Sequence, residues 1–300
     1  SAKPKGKGLP SPGAGWLGKL GLVYVEGKTL FETLMLNLTL LKDGRQLWEE
    51  PAPVWELDKP REAERTEIAM PNNQAELLTL QSRRLLLIRE NAQVVGYALL
   101  GGDFFSKINA DAEQMTLWEY REGKKNVPPY NQPKRLKPDR QMWRDFSVIT
   151  AAEGKGKIPG VMSWVLLLKS KRILDSKFVA HFRAAGAKYG DKDFFVKNVF
   201  SDSLSMYTSL LSEAGNNWRN DIEIEIEKCD KLASAISFLA RNIYIASGGS
   251  DASTESAGNL AKAQLYYRLD KPFREWLRNI NPDDDSESKA DIIKRWQDTA

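Results

Sequence analysis

Three hundred residues carry 42% apolar and 10% aromatic side chains, which supports a folded core and rules out a largely disordered or collagen-like chain. Forty-four basic against 40 acidic residues give a net charge of +4, too mild to name a partner. One cysteine (Cys229) and one histidine (His181) exclude an internal disulfide, a Cys/His zinc site, and any histidine triad that does not use His181.

Residues 1–21 are rich in Lys, Gly and Pro and read as loop. Residues 21–27 (GLVYVEG) predict a short strand. Leu30, Phe31, Leu34, Met35 and Leu38 then recur at helical spacing, predicting an amphipathic helix over 29–40. Residues 43–76 are polar and irregular, with Trp48 and Trp55 as expected anchors. Residues 77–80 suit a short helix or strand. Residues 85–89 and 94–100 are strand-like around a 90–93 turn, which predicts a hairpin. Residues 121–144 hold eight basic and two acidic side chains among Pro128, Pro129, Pro133 and Pro138, and read as a long basic loop. Core elements are expected at 142–149, 161–168 and 178–185. The last carries His181 in a helical apolar pattern, at a helix surface or core edge rather than as a general base. A buried strand over 194–200 and a helix over 204–212 complete this part.

From Asp221 helical periodicity dominates. Cys229, Leu232, Ile236, Leu239 and Ile243 predict one apolar stripe. Leu265, Leu269, Phe273 and Leu277 mark a second helix, bent at Pro272, and Ala290, Ile293 and Trp296 begin a third. Residues 221–300 hold 11 basic and 15 acidic side chains, leaving 33 and 25 for 1–220. The expected architecture is therefore α+β. A mixed α/β body with β-hairpins spans 1–220, and an incomplete antiparallel helical bundle spans 221–300. The longest apolar run, 161–168, is far short of a membrane span, and Ser1 opens no signal-peptide pattern. A soluble protein of the cytoplasm is expected.

Three motifs invite chemistry. Gly13, Gly15, Gly18 and Lys19 match both a dinucleotide fingerprint and a phosphate loop. Both need a strand before and a helix after, and Leu20 stands where a phosphate loop needs Ser or Thr. A loop with bare backbone, able to approach a nucleic-acid groove, is the remaining functional reading. Glu223, Glu225, Glu227 and Asp230 suggest a metal-dependent nuclease; the plainer reading is acids gathered at a helix N-terminus. The basic stretch 121–144, with Tyr130 and Trp143, suits phosphate tracking and base stacking as well as simple solvation. Asp283, Asp284 and Asp285 lack the spacing of a calcium loop and read as a solvated turn.

An ordered series of short pieces resembles one family. It runs through Val25-Glu26-Gly27, Leu30-Phe31-Glu32-Thr33-Leu34, Leu36-Asn37-Leu38 and Pro53-Val54-Trp55-Glu56. It continues through residues 77–84 (LLTLQSRR), the hairpin, residues 113–118 (EQMTLW), Pro129-Tyr130, Pro138-Asp139-Arg140 and Trp143-Arg144. The family is the CasA-type large subunit of the type I-E CRISPR surveillance complex, Cascade. The match covers most of 6–150 and continues, weaker but ordered, through the helical tail.

The resemblance implies a mixed body, a four-helix bundle, further family residues outside this sequence at both ends, and no catalysis or cofactor. It implies a subunit that reads the short motif (PAM) beside a target in double-stranded DNA, helps open the duplex for guide RNA, and recruits a helicase–nuclease. Its partners would be that DNA, the other Cascade subunits with the guide RNA, and the recruited enzyme, with no membrane. Carried over by position, Gly6 and Gly8 fit the family's glycine loop, with Gly13-Ala14-Gly15 as the competing alignment. Lys107 fits its lysine finger, and Met206, Tyr207 and Thr208 its wedge, although the wedge's glutamine is missing. Lys124, Lys125, Lys134 and Arg135 are expected phosphate contacts. The acidic tail is expected to dock protein, with Arg274 and Arg278 as local basic exceptions. The competing classes are a metal-dependent nuclease using Glu223, Glu225 and Asp230, and a pure assembly scaffold.

Overall fold

A computed structural model describes residues 3–5, 9–11, 18, 20–42, 46–56, 71–80, 83–101, 113–124, 126–151, 156–190, 195–284 and 286–300. Seven α-helices and small antiparallel pairings among them give a mixed α+β fold with a helical C-terminal region. The chain divides into two units. The first comprises Ser1–Arg140, Lys155–Leu167 and Phe182–Asp202; the second comprises Gln141–Gly154, Leu168–His181 and Ser203–Ala300. No helix among the described residues is long and apolar enough to cross a membrane.

In the first unit, β1 (Lys3–Lys5) pairs antiparallel with β2 (Leu9–Ser11). β3 (Leu22–Glu26) leads into α1 (Leu30–Leu36). Thr29 caps α1, its hydroxyl accepting the Glu32 N–H, while the Glu32 carboxylate accepts the N–H of Lys28. The helix ends short of the expected residue 40, because Asn37 turns its amide back onto β3. Its Oδ1 accepts the Val25 N–H at 2.8 Å and its Nδ2 donates to the Val25 carbonyl at 2.6 Å. One side chain thus takes the place of a neighbouring strand. Trp48 donates its indole N–H to the Thr39 carbonyl, but Trp55, also expected as an anchor, is 68% exposed.

Two short strands, β4 (Leu41–Lys42) and β5 (Gln46–Leu47), pair next, and α2 (Gln74–Thr79) follows. The expected hairpin is β6 (Arg83–Glu90) with β7 (Gln93–Gly101). Asn91 and Ala92 both have positive φ, the geometry of a two-residue hairpin turn. The expected basic loop is in part a second hairpin, β8 (Leu117–Arg121) with β9 (Tyr130–Lys134). The prolines did not preclude it: on a two-stranded ribbon Pro133 can face an unpaired edge.

α3 (Phe146–Thr150) follows a 3₁₀ turn at Met142–Asp145, and α4 (Gly160–Ser170) precedes β10 (Val179–Tyr189) and β11 (Val196–Tyr207). β10 lies between β11 and β3. The helical pattern expected around His181 is thus a strand. Ala180, Phe182 and Ala184 are buried and His181 is exposed, a period of two. His181 Nδ1 lies 2.8 Å from the Ser205 hydroxyl. The strand expected over 194–200 starts at Val196 and is exposed rather than buried at Val196 and Val199. Where a helix was expected from 204, β11 continues to Tyr207, followed by a 3₁₀ turn at Thr208–Leu211; Leu204 and Met206 alternate inward while Ser203 points outward.

The second unit centres on α5 (Asn216–Ala246), α6 (Asp251–Asn279) and α7 (Lys289–Thr299). Of the predicted α5 stripe only Cys229 is buried; Leu239 and Ile243 are 57% and 60% exposed. The buried seam runs instead through Ile222, Ile226, Cys229, Ala233 and Ser237. A Cβ on Gly258 of α6 would lie 2.7 Å from the Ser237 hydroxyl and 2.5 Å from Arg241 Nε, so glycine leaves the room these side chains occupy. Trp143 stacks on Phe273 at 4.3 Å, and Trp296 of α7 stacks on Trp276 at 5.3 Å.

Candidate nucleic-acid interface

The β8–β9 hairpin places Arg121 opposite Tyr130 and Leu117 opposite Lys134. Glu119 accepts Arg121 at 2.6 Å and Gln132 at 3.2 Å, so the Arg121 charge is already partnered. The tip closes through the Lys124–Val127 bridge, where Gly123 is required: a Cβ there would lie 2.4 Å from the Val127 carbonyl oxygen. Of the expected phosphate contacts, Lys124 and Arg135 are exposed and Lys134 is half-buried; Lys125 lies outside the described residues. Trp143 has no exposed surface and donates its indole N–H to Asp270 at 2.9 Å, which corrects its reading as a stacking platform.

Gly6, Gly8 and Lys107 lie outside the described residues. Met206 and Thr208 are fully buried, and the Thr208 hydroxyl donates to the Phe178 carbonyl. Tyr207 is half-exposed, the only one of the three to present surface.

The acidic residues of α5 follow neither reading. None lies in the helix's first turn. Glu225 is buried, accepting Lys228 at 2.7 Å, Gln297 at 2.9 Å and the Trp296 indole at 3.1 Å. Asp230 accepts Arg144 at 3.1 Å and the Tyr266 hydroxyl, and the Arg144 guanidinium lies 3.5 Å over the Tyr266 ring. Among the described residues no three His, Cys, Asp or Glu side chains gather to hold a metal ion. Arg274 is held by Asp270 at 2.7 Å and by the Ser203 carbonyl, so it is not an open cation. These ties escaped sequence reading because most of their partners are dozens of residues apart.

Burial, with the nearby Glu225 and Asp230 charges, pushes the Cys229 thiol up to about 11. Its thiolate fraction at pH 8 is then about a hundredfold below that of an ordinary cysteine, and only the thiolate is nucleophilic. Iodoacetamide at pH 8 is therefore expected to label the folded protein slowly and the urea-unfolded protein at the normal thiol rate. Equal rates would show that α5 is not packed at this position.

Comparison with known proteins gives the family and the fold. The family model for CRISPR-associated protein Cse1 matches residues 1–300, and the chain belongs to that family. It is similar to Thermobifida fusca Cse1, with 26% identity over 94% of this chain and 54% of that one, at a TM-score of 0.71. Against Cse1 from Acidimicrobium ferrooxidans the identity is 25% over 99% of this chain and 60% of that one, at 0.67. CasA from Thermus thermophilus shares the fold at 18% identity over 94% of this chain and 57% of that one, at 0.61. The chain thus spans little more than half the length of these relatives. No curated protein matches it.

Proposed function

We propose that the chain acts as a non-catalytic subunit of a type I-E RNA-guided CRISPR surveillance complex. It reads PAM-bearing double-stranded DNA, helps open the duplex, and recruits a helicase–nuclease. Membership of the Cse1 family along all 300 residues carries this reading. Its partners are the duplex, the other Cascade subunits with their guide RNA, and the recruited enzyme, in the cytoplasm and without a cofactor. Residues 1–220 face DNA. Residues 221–300, with 11 basic and 15 acidic side chains, dock protein. The protein reads the short duplex motif while base pairing reads sequence.

Lys107 hydrogen-bonds base edges, and Gly6 and Gly8 let the backbone approach the groove. The wedge role falls to Tyr207, since a ring with open surface can insert at a base step and a buried Met206 cannot. In the assembled complex, Lys107→Ala is expected to weaken binding to PAM-bearing duplex by roughly tenfold, about 1–3 kcal/mol for a lost base contact. Binding to duplex without the motif should hardly change. Equal loss on both would reduce Lys107 to simple charge attraction, and no loss on either would favour the scaffold reading.

A further inference from the structure

We propose that Arg135 and Lys137 form a two-pronged clamp for consecutive phosphates on one strand of duplex DNA, set by the buried Leu136 between them. This rests on the DNA-reading function above and adds Lys137 to it. β9 ends at Lys134, and the next three residues alternate exposed, buried, exposed. Leu136 is the anchor. Its N–H donates to the Leu20 carbonyl at 2.7 Å and its side chain is buried. Gly21, at φ +83°, makes room for it: a Cβ there would lie 2.7 Å from Leu136 Cδ1.

In an extended chain, residues two apart face the same side about 7 Å from each other. That separation is comparable with the spacing of consecutive phosphates along one strand. Among the described residues neither Arg135 nor Lys137 has a side-chain hydrogen bond or ion pair, in contrast to Arg121 on Glu119. The nearest acid in sequence is the exposed Asp139. The Arg140 N–H bonds back to the Lys137 carbonyl, closing a turn directly after the ribbon. The guanidinium suits two oxygens of one phosphate and the ammonium acts as a point charge on the next. Anchoring the backbone between them lowers the ordering cost of binding. Trp143 is buried and Tyr130 half-buried, so neither offers a fully exposed ring to stack unpaired bases. That favours a duplex backbone over a single strand.

The test is a salt titration of the 300-residue chain on a labelled duplex oligonucleotide, with and without the PAM, read by fluorescence anisotropy. The variant R135A/K137A is expected to flatten the slope of log K against log[salt] by about 1.8, and each single variant by about 0.9, equally on both duplexes. Arg121→Ala should leave the slope unchanged, because that charge is already partnered. A wild-type slope in the double variant, or a loss confined to the PAM duplex, overturns the clamp while the DNA-reading function stands. Tighter binding to single-stranded RNA, with the same flattening, overturns it in favour of guide contact. If the wild-type chain binds neither duplex and the assembled complex shows no PAM preference, the functional reading itself fails.

Discussion

Trp143→Ala is expected to destabilise the second unit by about 3–5 kcal/mol, the usual cost of removing a large aromatic from a closed core. Trp143 has no exposed surface, stacks on Phe273 at 4.3 Å, and bonds Asp270 through its indole N–H. Deletion therefore leaves a cavity beside α6 and strands part of the Asp270 carboxylate. Asp270 keeps Arg274, so the second loss is partial. Trp143→Phe keeps a ring on Phe273 but loses the hydrogen bond and some buried volume, and should cost about 1.5 kcal/mol. Hydrogen exchange along α6 reads both: the alanine variant should lose protection around Phe273 by roughly a hundredfold or more, and the phenylalanine variant by roughly tenfold. The sequence alone allowed the opposite role, an aromatic beside lysines stacking on bases. In that case Trp143→Ala would leave exchange untouched and weaken single-strand binding instead.

Two of the residues that made the family legible hold local structure. Asn37 completes the edge of β3, and Gly27 is needed because a Cβ there would lie 2.4 Å from the Glu32 Cβ. Such local motifs are readable because each position answers to a neighbour close by in sequence, and the same locality made the β6–β7 hairpin legible from its two apolar runs and the turn between them. The failures share the opposite cause. Residues 178–185 fit either period, and only pairing with β3 and β11 decided it. Along α5 the large residues promised a core stripe. The seam instead runs through Ala233 and Ser237, and at Ser237 the bare Gly258 of α6 leaves room for the hydroxyl. At the candidate interface, the count of basic residues marked the stretch but read it as a loop rather than a ribbon. It did not separate the partnered Arg121 from the open Arg135, since that depends on which side Glu119 faces.

Glu225→Ala should release α7. Trp296 is the one buried residue of that helix, and its indole N–H has Glu225 as acceptor at 3.1 Å. Removing the carboxylate leaves this donor among Phe273 and Trp276 with nothing to bond, at a cost of about 2 kcal/mol or more, roughly thirtyfold in the docking equilibrium. Gln297 loses its partner in the same step. Exchange over 289–299 should therefore rise by about that factor while the β6–β7 hairpin is unaffected. Glu225→Gln keeps an acceptor for the indole. Its NH2 group then faces Lys228 and Gln297, so it forfeits the ion pair with the solvent-exposed Lys228, worth under about 1 kcal/mol, and the exposed Gln297 amide must turn to offer its oxygen; with the indole still bonded, α7 should stay docked. This pair of variants also tests the competing chemistry. A nuclease carboxylate must be ionised to hold a metal, so Glu225→Gln would abolish magnesium- or manganese-dependent cleavage of DNA while leaving the helix in place. A Glu225 that serves as the anchor of Trp296 gives the reverse: the alanine frees α7, the glutamine does not, and neither alters any cleavage, because the buried side chain has its oxygens taken up by an indole, an amide and an ammonium.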